Sequence, residues 1–249
     1  ADKRFVVTTH YHGESASGFR NALLSGYRTF GRLAVRQADE VIAVSDWERE
    51  RLQEDLGVDA TEIPNGVNVE RFANAEPEER ERPYLLCVGR LEEYKGIQHV
   101  IRALPELSEY DLVIAGDGPY REELERIADE EGVASRVEFL GYVNDERLPG
   151  LYSGAEVYVT MSEFEAYGMT VAEALAAETP CVVRHIAGLS DWAGRDDCTI
   201  IERTTPDEIA ATVRQANRLS RSIEAVPDWK TVIRNLEMVY LNTISIENN

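Results

Sequence analysis

The sequence predicts an α/β fold in which parallel sheets carry helices on both faces. The first observation behind this prediction is a rhythm: short apolar runs, typical of buried strands, alternate with helix-like runs along almost the whole chain. The second is size, because 249 residues, 43% of them apolar, can bury a sizeable core in one large or two modest domains. The chain shows no internal repeat and no low-complexity tract.

Residues 1–80 are predicted to form the first domain. Two apolar runs, Phe5–Thr9 and Val41–Ser45, predict strands in it, and the strand-like Thr61–Ile63 then meets the turn Pro64–Gly66. Ser45 and Glu48 have the spacing of a capping box, which predicts that a helix begins there and continues to about Leu56. The segment 74–83 is charged, contains two prolines and has no apolar periodicity, so we place the domain boundary within it.

Residues 81–222 are predicted to form the second domain, and residues 223–249 a closing helical segment. Buried strands are predicted at Tyr84–Val88, Leu112–Ala115, Val137–Leu140, Val157–Thr160, Cys181–Arg184 and Thr199–Ile201. The helices between them are predicted near Ile97–Leu104, Tyr120–Glu131, Glu146–Tyr152, Val171–Ala177 and Pro206–Leu219. The closing helix spans Trp229–Ile246, and we expect it to pack back toward the first domain.

The composition excludes several classes of protein. A formal net charge of −20 leaves no broad cationic surface, which argues against nucleic acid as a partner. The first residues do not read as a signal peptide, and no apolar run reaches the roughly 18 residues of a membrane span. Three scattered cysteines are too few for a disulfide framework, so we expect reduced thiols in a cytoplasmic protein. Only three of the 26 basic residues are lysine, and this acidic, lysine-poor composition is typical of salt-loving organisms.

The amino-terminal segment departs from this acidity. Residues 1–36 carry a net charge of +4, and Arg28, Arg32 and Arg36 would share one face of a helix over Phe19–Arg36. Apolar side chains beside them make residues 19–36 a candidate for peripheral contact with an anionic surface at the inner face of a membrane. The alternative is an ordinary surface helix with solvated arginines, and two glycines in the segment weaken the helix prediction.

A glycine-bounded loop follows the strand Tyr84–Val88. It runs from Gly89 to Gly96 and carries two cations, Arg90 and Lys95, five residues apart. Glycine lets backbone approach a ligand closely, and arginine grips phosphate oxygens in bidentate fashion, so the loop is suited to a diphosphate. A plain strand-to-helix turn with solvated charges is the alternative, although the scarcity of lysine makes Lys95 informative.

A second candidate segment follows the strand Val157–Thr160. Gly168, Met169 and Thr170 would offer free backbone N–H groups at a helix N-terminus, which is a natural seat for phosphate. Glu165 precedes that terminus and Glu173 lies eight residues further on, so both carboxylates could accept hydrogen bonds from sugar hydroxyls. The spacing alone is common in an acidic chain, and the strand–loop–helix context gives it meaning.

Histidines and a glycine turn add weaker patterns. His10 follows the first strand, where it could meet a reacting group, and with His12 it forms a His-x-His pattern that lacks a nearby third metal ligand. The turn Gly116–Pro119 ends another strand, and we interpret it as a structural connection. His99 is expected to be structural, and His185 has no evident partner.

Together these segments resemble the GT-B glycosyltransferases, specifically the large retaining family 4, the glycosyl transferases group 1. Glu165 and Glu173 are similar to the family's Glu-x7-Glu signature. The loop Gly89–Gly96 is similar to its diphosphate-binding motif, and Ile63–Asn68 to its domain-joining segment. The resemblance runs over residues 5–192 and implies two Rossmann-like parallel-sheet domains.

The resemblance also implies an activity. The chain would move a sugar from a nucleotide-diphosphate-sugar donor to the hydroxyl of a glycan or lipid-linked acceptor, with retained configuration and with no metal or other cofactor. The resemblance implies that Arg90 and Lys95 neutralise the leaving diphosphate, and that the backbone of Gly168, Met169 and Thr170 holds the phosphates. It implies that Glu173 contacts the ribose and Glu165 the transferred sugar. It places His10 near the sugar and the reaction centre.

The sequence also departs from the family. No equivalent of the family's glycine-rich loop is visible after the first strand, so we expect the N-terminal domain to be incomplete, and Ala166 stands where the family usually has glycine. An alternative function is therefore a non-catalytic nucleotide-sugar-binding remnant or accessory subunit of a glycosyltransferase. A third hypothesis keeps the fold and makes the chain a sugar-nucleotide epimerase or a phosphorylase.

Overall fold

The computed structural model describes residues 4–11, 31–219 and 226–245. Its strands are β1 Val6–Thr8, β2 Glu40–Ala43, β3 Thr61–Glu62, β4 Tyr84–Val88, β5 Asp111–Ala115, β6 Val137–Gly141, β7 Val157–Thr160, β8 Cys181–Arg184 and β9 Cys198–Ile201. The helices within these ranges are α1 Asp46–Leu56, α2 Val69–Ala73, α3 Ile97–Ala103, α4 Arg121–Glu130, α5 Leu148–Gly154, α6 Met169–Ala176, α7 Pro206–Ala216 and α8 Trp229–Ser245, and residues 31–35 are also helical.

The larger sheet has six parallel strands in the order β6-β5-β4-β7-β8-β9. The chain leaves β4 toward β5 and β6 and then returns to the other side of β4 to form β7, β8 and β9. Successive residues of β4 enter opposite cores, because Leu85 packs with α3, α4 and α7 whereas Leu86 packs with α5 and α6. The strand order thus reverses between β4 and β7, and open α/β sheets bind ligands at the carboxyl ends of such a pair.

The smaller sheet is parallel and has the order β1-β2-β3. Val41 and Ala43 face helix α1, where they pack against Leu52 and its neighbours. Ile42 faces the other side and packs with Val232 of helix α8. Both sheets are therefore covered by helices on two faces, which confirms the predicted α/β fold class with parallel sheets.

Helix α1 begins at the predicted capping box, but only half of the box forms. The hydroxyl of Ser45 accepts a hydrogen bond from the N–H of Glu48 at 3.1 Å, as the spacing predicts. The carboxylate of Glu48 does not return to the N–H of Ser45. It accepts instead from the N–H of Val44 at 2.7 Å and from the hydroxyl of Thr9 at 2.7 Å, because it is fully buried beside the end of β1.

Two arginines of the predicted basic face lie against the C-terminus of α1. The Nε of Arg36 donates to the carbonyl of Leu56 at 3.2 Å. A Cβ atom added at Gly57 would lie 2.7 Å from a guanidinium nitrogen of Arg36 and 3.5 Å from one of Arg32. These positive charges complement the carbonyl end of the helix dipole. Arg32 and Arg36 are both exposed, as the surface-helix alternative predicts, and Arg36 in addition binds the end of α1. Arg28 and most of the predicted helix lie outside the described residues.

The two sheets meet at the ends of their helices. Asp191, in the turn that follows β8, accepts a hydrogen bond from the N–H of Trp47 at 3.2 Å at the start of α1. Gly66 also packs tightly against the start of α8, where an added Cβ would lie 2.8 Å from the ring of Trp229. Glycine at this position lets α8 return to the first domain and pack on the smaller sheet.

None of the helices in the described ranges combines the length and the apolar character needed to cross a membrane.

Candidate functional site

The loops that follow β4 and β7 are in direct contact at the point where the strand order reverses. The N–H of Glu163 donates to the carbonyl of Tyr94 at 2.8 Å. Gly96 has φ of 73°, and a Cβ there would lie 2.2 Å from the carbonyl oxygen of Met161. Only glycine allows this approach, which explains the glycine at the end of the predicted diphosphate loop.

Lys95 and Glu165 are brought together by this contact, although 70 residues separate them in sequence. The Nζ of Lys95 lies 2.5 Å from an Oε of Glu165, and each side chain is 21% exposed. The ammonium group also lies 5.4 Å from the ring centroid of Tyr94. A partly desolvated cation and carboxylate therefore sit side by side at the mouth of the crevice.

Arg90 occupies a more open position on the same loop. Its side chain is 68% exposed and its Nε lies 2.9 Å from a carboxylate oxygen of Glu92. The turn Gly116–Pro119 supports this loop from below, because the N–H of Leu91 donates to the carbonyl of Asp117 at 3.0 Å. The turn connects β5 to α4, as the sequence predicts, and Arg90 is paired with Glu92 on the exposed side of the loop.

Helix α6 begins one residue after Gly168, which has φ of 86°. A Cβ there would lie 2.7 Å from Leu189, so both the backbone angle and the packing require glycine. Within the described part of the chain, no protein acceptor lies on the N–H groups of Gly168, Met169 and Thr170. Free N–H groups at the positive end of a helix dipole favour a bound anion, which is the role that the sequence predicts for the N-terminus of α6.

Glu173 lies one turn into the same helix and is mostly buried. Its carboxylate accepts a hydrogen bond from the hydroxyl of Tyr152 at 2.8 Å. Burial raises the pKa of Glu173 above its ordinary value, while the Tyr152 hydrogen bond and the charge of Arg71 oppose the rise. Tyr152 and Arg71 were not found from the sequence, because no motif marks them and only the packing of α5 and α2 against α6 brings them near.

His10 lies at the carboxyl end of β1, in the other sheet. Its side chain is exposed and its backbone has φ of 48°, a left-handed conformation that is uncommon for a residue other than glycine. Among the described contacts, none joins it to Lys95 or Glu165. The structure thus brings Lys95 and Glu165 together and places His10 beyond the end of a strand in the other sheet.

His185 does have a partner, contrary to the sequence interpretation, because its Nδ1 lies 2.6 Å from a carboxylate oxygen of Glu202 at the end of β9. His99 is half buried in helix α3, and burial lowers its pKa. His12 lies outside the described residues. In the ranges that are described, no group of three or more His, Cys, Asp and Glu could hold a metal ion.

Comparison with known families gives two matches that together span most of the chain. The model for glycosyl transferases group 1 matches residues 68–226, and the model for glycosyltransferase family 4 matches residues 1–71. Over 227 residues the chain is 32% identical to glycogen synthase from Mycobacterium tuberculosis, covering 83% of this chain and 55% of that protein. It is 32% identical over 235 residues to a GDP-mannose-dependent alpha-(1-6)-phosphatidylinositol monomannoside mannosyltransferase from Mycolicibacterium smegmatis, covering 85% of this chain and 60% of that protein.

Solved structures show the same architecture. Sucrose-phosphate synthase from Thermosynechococcus elongatus superposes with a TM-score of 0.84 at 21% identity, over 98% of this chain and 68% of that one. HepE from Anabaena, solved with UDP-glucose, superposes with a TM-score of 0.81 at 17% identity, over 96% of this chain and 72% of that one. The chain spans little more than half the length of the two curated relatives named above. It has the GT-B fold, and it belongs to the family of glycosyl transferases group 1.

Proposed function

We propose that this chain transfers a sugar from a nucleotide-diphosphate-sugar donor to an acceptor hydroxyl with retention of configuration. The observation that carries the proposal is the contact between Lys95 and Glu165, which joins the two family motifs at the carboxyl ends of β4 and β7. A cation that suits a diphosphate and a carboxylate that suits sugar hydroxyls lie side by side there, which supports a nucleotide-diphosphate sugar as the donor.

The cations and the helix terminus would hold the diphosphate. Lys95 and Arg90 would neutralise its charge, and the N–H groups of Gly168, Met169 and Thr170 would seat its oxygens at the start of α6. These groups stabilise the negative charge that grows on the leaving diphosphate, so the proposed reaction needs no divalent metal.

The carboxylates would hold the sugars. Glu173 would accept hydrogen bonds from the ribose hydroxyls, and Glu165 from the transferred sugar, while His10 would face that sugar from the first domain. In the reaction the bond between the sugar C1 and the phosphate oxygen breaks, and the nucleoside diphosphate leaves with the electron pair. The acceptor oxygen bonds to C1 on the same face, and its proton passes to the departing phosphate, the nearest base for a front-face attack.

The proposed acceptor rests on the name of one relative, and the proposed location rests on the composition of the chain. We propose a glycan or lipid-linked acceptor, because one relative is named for a phosphatidylinositol mannoside substrate. A cytoplasmic site of action, in a salt-loving organism and at the inner face of the membrane, agrees with the composition and with the net positive charge of residues 1–36. Residues 12–30, which include most of the proposed membrane segment, lie outside the described part of the chain.

A second candidate is a nucleotide-sugar-binding protein or accessory subunit without turnover. The observation that favours it is that Lys95 and Glu165 are in contact on the donor side, whereas none of the described contacts joins either of them to His10. The two candidates predict the same donor binding, and only the transferase predicts that the donor is consumed.

Thermal unfolding in molar KCl with UDP, GDP, ADP and their sugars tests the donor site. A ligand at about 100 times its Kd stabilises the folded state by roughly 2.7 kcal/mol. We expect one nucleotide to raise the unfolding temperature of the wild type and of Lys230→Ala, a lysine at the exposed start of α8, but not of Lys95→Ala or Arg90→Ala. No shift with any nucleotide, or an equal shift in all four proteins, would contradict the proposed donor site.

A further inference from the structure

Glu48 is a fully buried carboxylate in the first turn of α1, and the donor chemistry described above does not use it. Its oxygens accept hydrogen bonds from the Thr9 hydroxyl at 2.7 Å, from the Val44 N–H at 2.7 Å and from the Tyr11 N–H. In the part of the chain that the structure describes, no ion pair includes it. Burying a carboxylate that is satisfied by hydrogen bonds rather than by a cation is costly, and the three partners of Glu48 lie just after β1 and β2.

His10 lies between two of these partners. Thr9 and Tyr11 flank it in sequence, and both donate to the same oxygen of Glu48. The hydroxyl of Tyr11 also donates to Asp55 at 3.1 Å, about two turns further along the same face of α1. The chain is therefore tied to α1 immediately before and immediately after His10, whose own side chain is exposed.

The backbone of His10 explains why such ties are needed. Its φ of 48° places it in the left-handed region, which residues with a Cβ visit rarely. Strained residues of this kind persist only where the surrounding structure fixes them, and they cluster at functional sites. The hydrogen bonds on either side of His10 are constraints of the kind that can maintain such a conformation.

We propose that Glu48 is a positioning residue, which holds His10 in its left-handed conformation by binding the residue on either side of it. This rests on the proposed function, because it takes His10 to face the reacting sugar. Glu48 does not touch the donor or the acceptor, and its effect on the reaction passes through the orientation of the imidazole.

Two variants and a matched control test this role. Thr9→Val removes one hydrogen bond and keeps the shape of the side chain, leaving Glu48 bound to the other two N–H groups. Glu48→Gln keeps the size of the side chain but sets an amide donor against backbone donors. The control is Thr61→Val, because Thr61 makes the same kind of bond, to Glu40 at 2.6 Å, in the same sheet and away from His10.

The kinetic readout is release of nucleoside diphosphate from the donor. We expect Thr9→Val to lower kcat about 10- to 100-fold with the donor KM unchanged, since a small misplacement of a catalytic group is costly. Thr61→Val should behave as wild type, and Thr9→Val should cause no further loss in a His10→Ala background. A wild-type rate for Thr9→Val, or the same loss with and without His10, would overturn the proposal.

A second readout is independent of activity. In protein with isotope-labelled histidine, the imidazole signals of His10 are identified by their absence in His10→Ala. They should move in Thr9→Val and in Glu48→Gln but not in Thr61→Val, and unmoved signals in the first two would overturn the proposal. Moved signals in a protein that never consumes a donor would instead leave the positioning intact and refute the proposed function.

Discussion

The hydroxyl of Tyr152 donates a hydrogen bond to Glu173 at 2.8 Å, linking helix α5 to the carboxylate that we assign to the ribose. This bond lowers the pKa of Glu173, whereas burial raises it by more. Tyr152 thus opposes part of the effect of burial and favours the ionised form of Glu173, although Tyr152 itself is fully buried and touches no ligand in the proposed complex.

Tyr152→Phe should weaken donor binding, and more so at acidic pH. Loss of the hydrogen bond raises the pKa of Glu173 further, so the neutral form, which accepts hydrogen bonds poorly, persists to higher pH. Titration of the donor against both proteins between pH 5 and 8 measures this. Tyr84→Phe is the control, because its buried hydroxyl donates at 2.7 Å to the carbonyl of Leu151 and not to the site. Equal pH profiles for Tyr152→Phe and wild type would refute the assignment.

Glu173→Gln should stabilise the protein at neutral pH while it weakens donor binding. The pKa of Glu173 is higher in the folded state than in the unfolded state, so ionisation of this carboxyl disfavours folding. Its contribution to the free energy of unfolding is therefore complete at low pH and is lost as the pH rises through the folded-state pKa. Glutamine has no such loss. Chemical denaturation should therefore show a gain over wild type at pH 7.5 that shrinks toward pH 4.5. A gain that grows as the pH falls would contradict this reasoning.

Asp191→Asn should also stabilise the protein at neutral pH, through the contact between the two domains. Partial desolvation and the charges of Asp46 and Glu50 raise the pKa of Asp191, while the N–H groups of α1 oppose the rise. Asparagine keeps an acceptor for the Trp47 N–H and removes the charge, so its advantage should vanish as the pH falls below the raised pKa.

Asp228→Asn is the control for Asp191→Asn, because the pKa of Asp228 is lowered and that of Asp191 is raised. Hydrogen bonds from Thr231 lower the pKa of Asp228, so its ionised form favours the folded state above the unfolded pKa. Thermal unfolding across the same pH range should show this variant at or below wild type at pH 7. Asp191→Asn and Asp228→Asn changing stability in the same direction at pH 7 would count against the electrostatic explanation.

Gly168→Ala should destabilise the fold and abolish donor binding together. The left-handed φ of 86° costs an alanine roughly 1–2 kcal/mol. The new Cβ would in addition lie 2.7 Å from Leu189 and shift the N-terminus of α6. Gly132→Ala carries the backbone cost alone, since its φ is 67° and nothing lies within 4 Å of the added Cβ. In calorimetry, Gly168→Ala should therefore unfold at a lower temperature than Gly132→Ala. Of the two variants, only Gly132→Ala should still bind the donor.

The larger sheet could be predicted from sequence because its strands are short, mainly apolar runs bounded by turns, and the observed ends differ from the predicted ones by at most one residue. Helix α6 begins two residues earlier than predicted, because the left-handed Gly168 starts it at Met169. Alternation of strands and helices is a local pattern, and local patterns are legible in a single sequence.

The site contacts could be predicted only in part. The motifs marked Lys95 and Glu165, but their contact arises from strand pairing between β4 and β7, which sequence does not display. The same reason hid the partner of His185, since Glu202 lies at the end of the neighbouring strand β9. The capping-box spacing marked Glu48 in the sequence. Its hydrogen bonds to Thr9 and Val44 could not be predicted, because they depend on the packing of β1 beside α1.

The most direct test is the rate at which the chain releases nucleoside diphosphate from the donor that stabilises it, measured beside Lys95→Ala and Lys230→Ala. Loss of a group that stabilises the leaving charge typically lowers the rate by about 100- to 1,000-fold. We expect donor consumption by the wild type, an unchanged rate for Lys230→Ala and a loss of about that size for Lys95→Ala. A Lys95→Ala rate equal to wild type would contradict the proposed site, and a wild type that binds the donor without consuming it would establish the non-catalytic alternative.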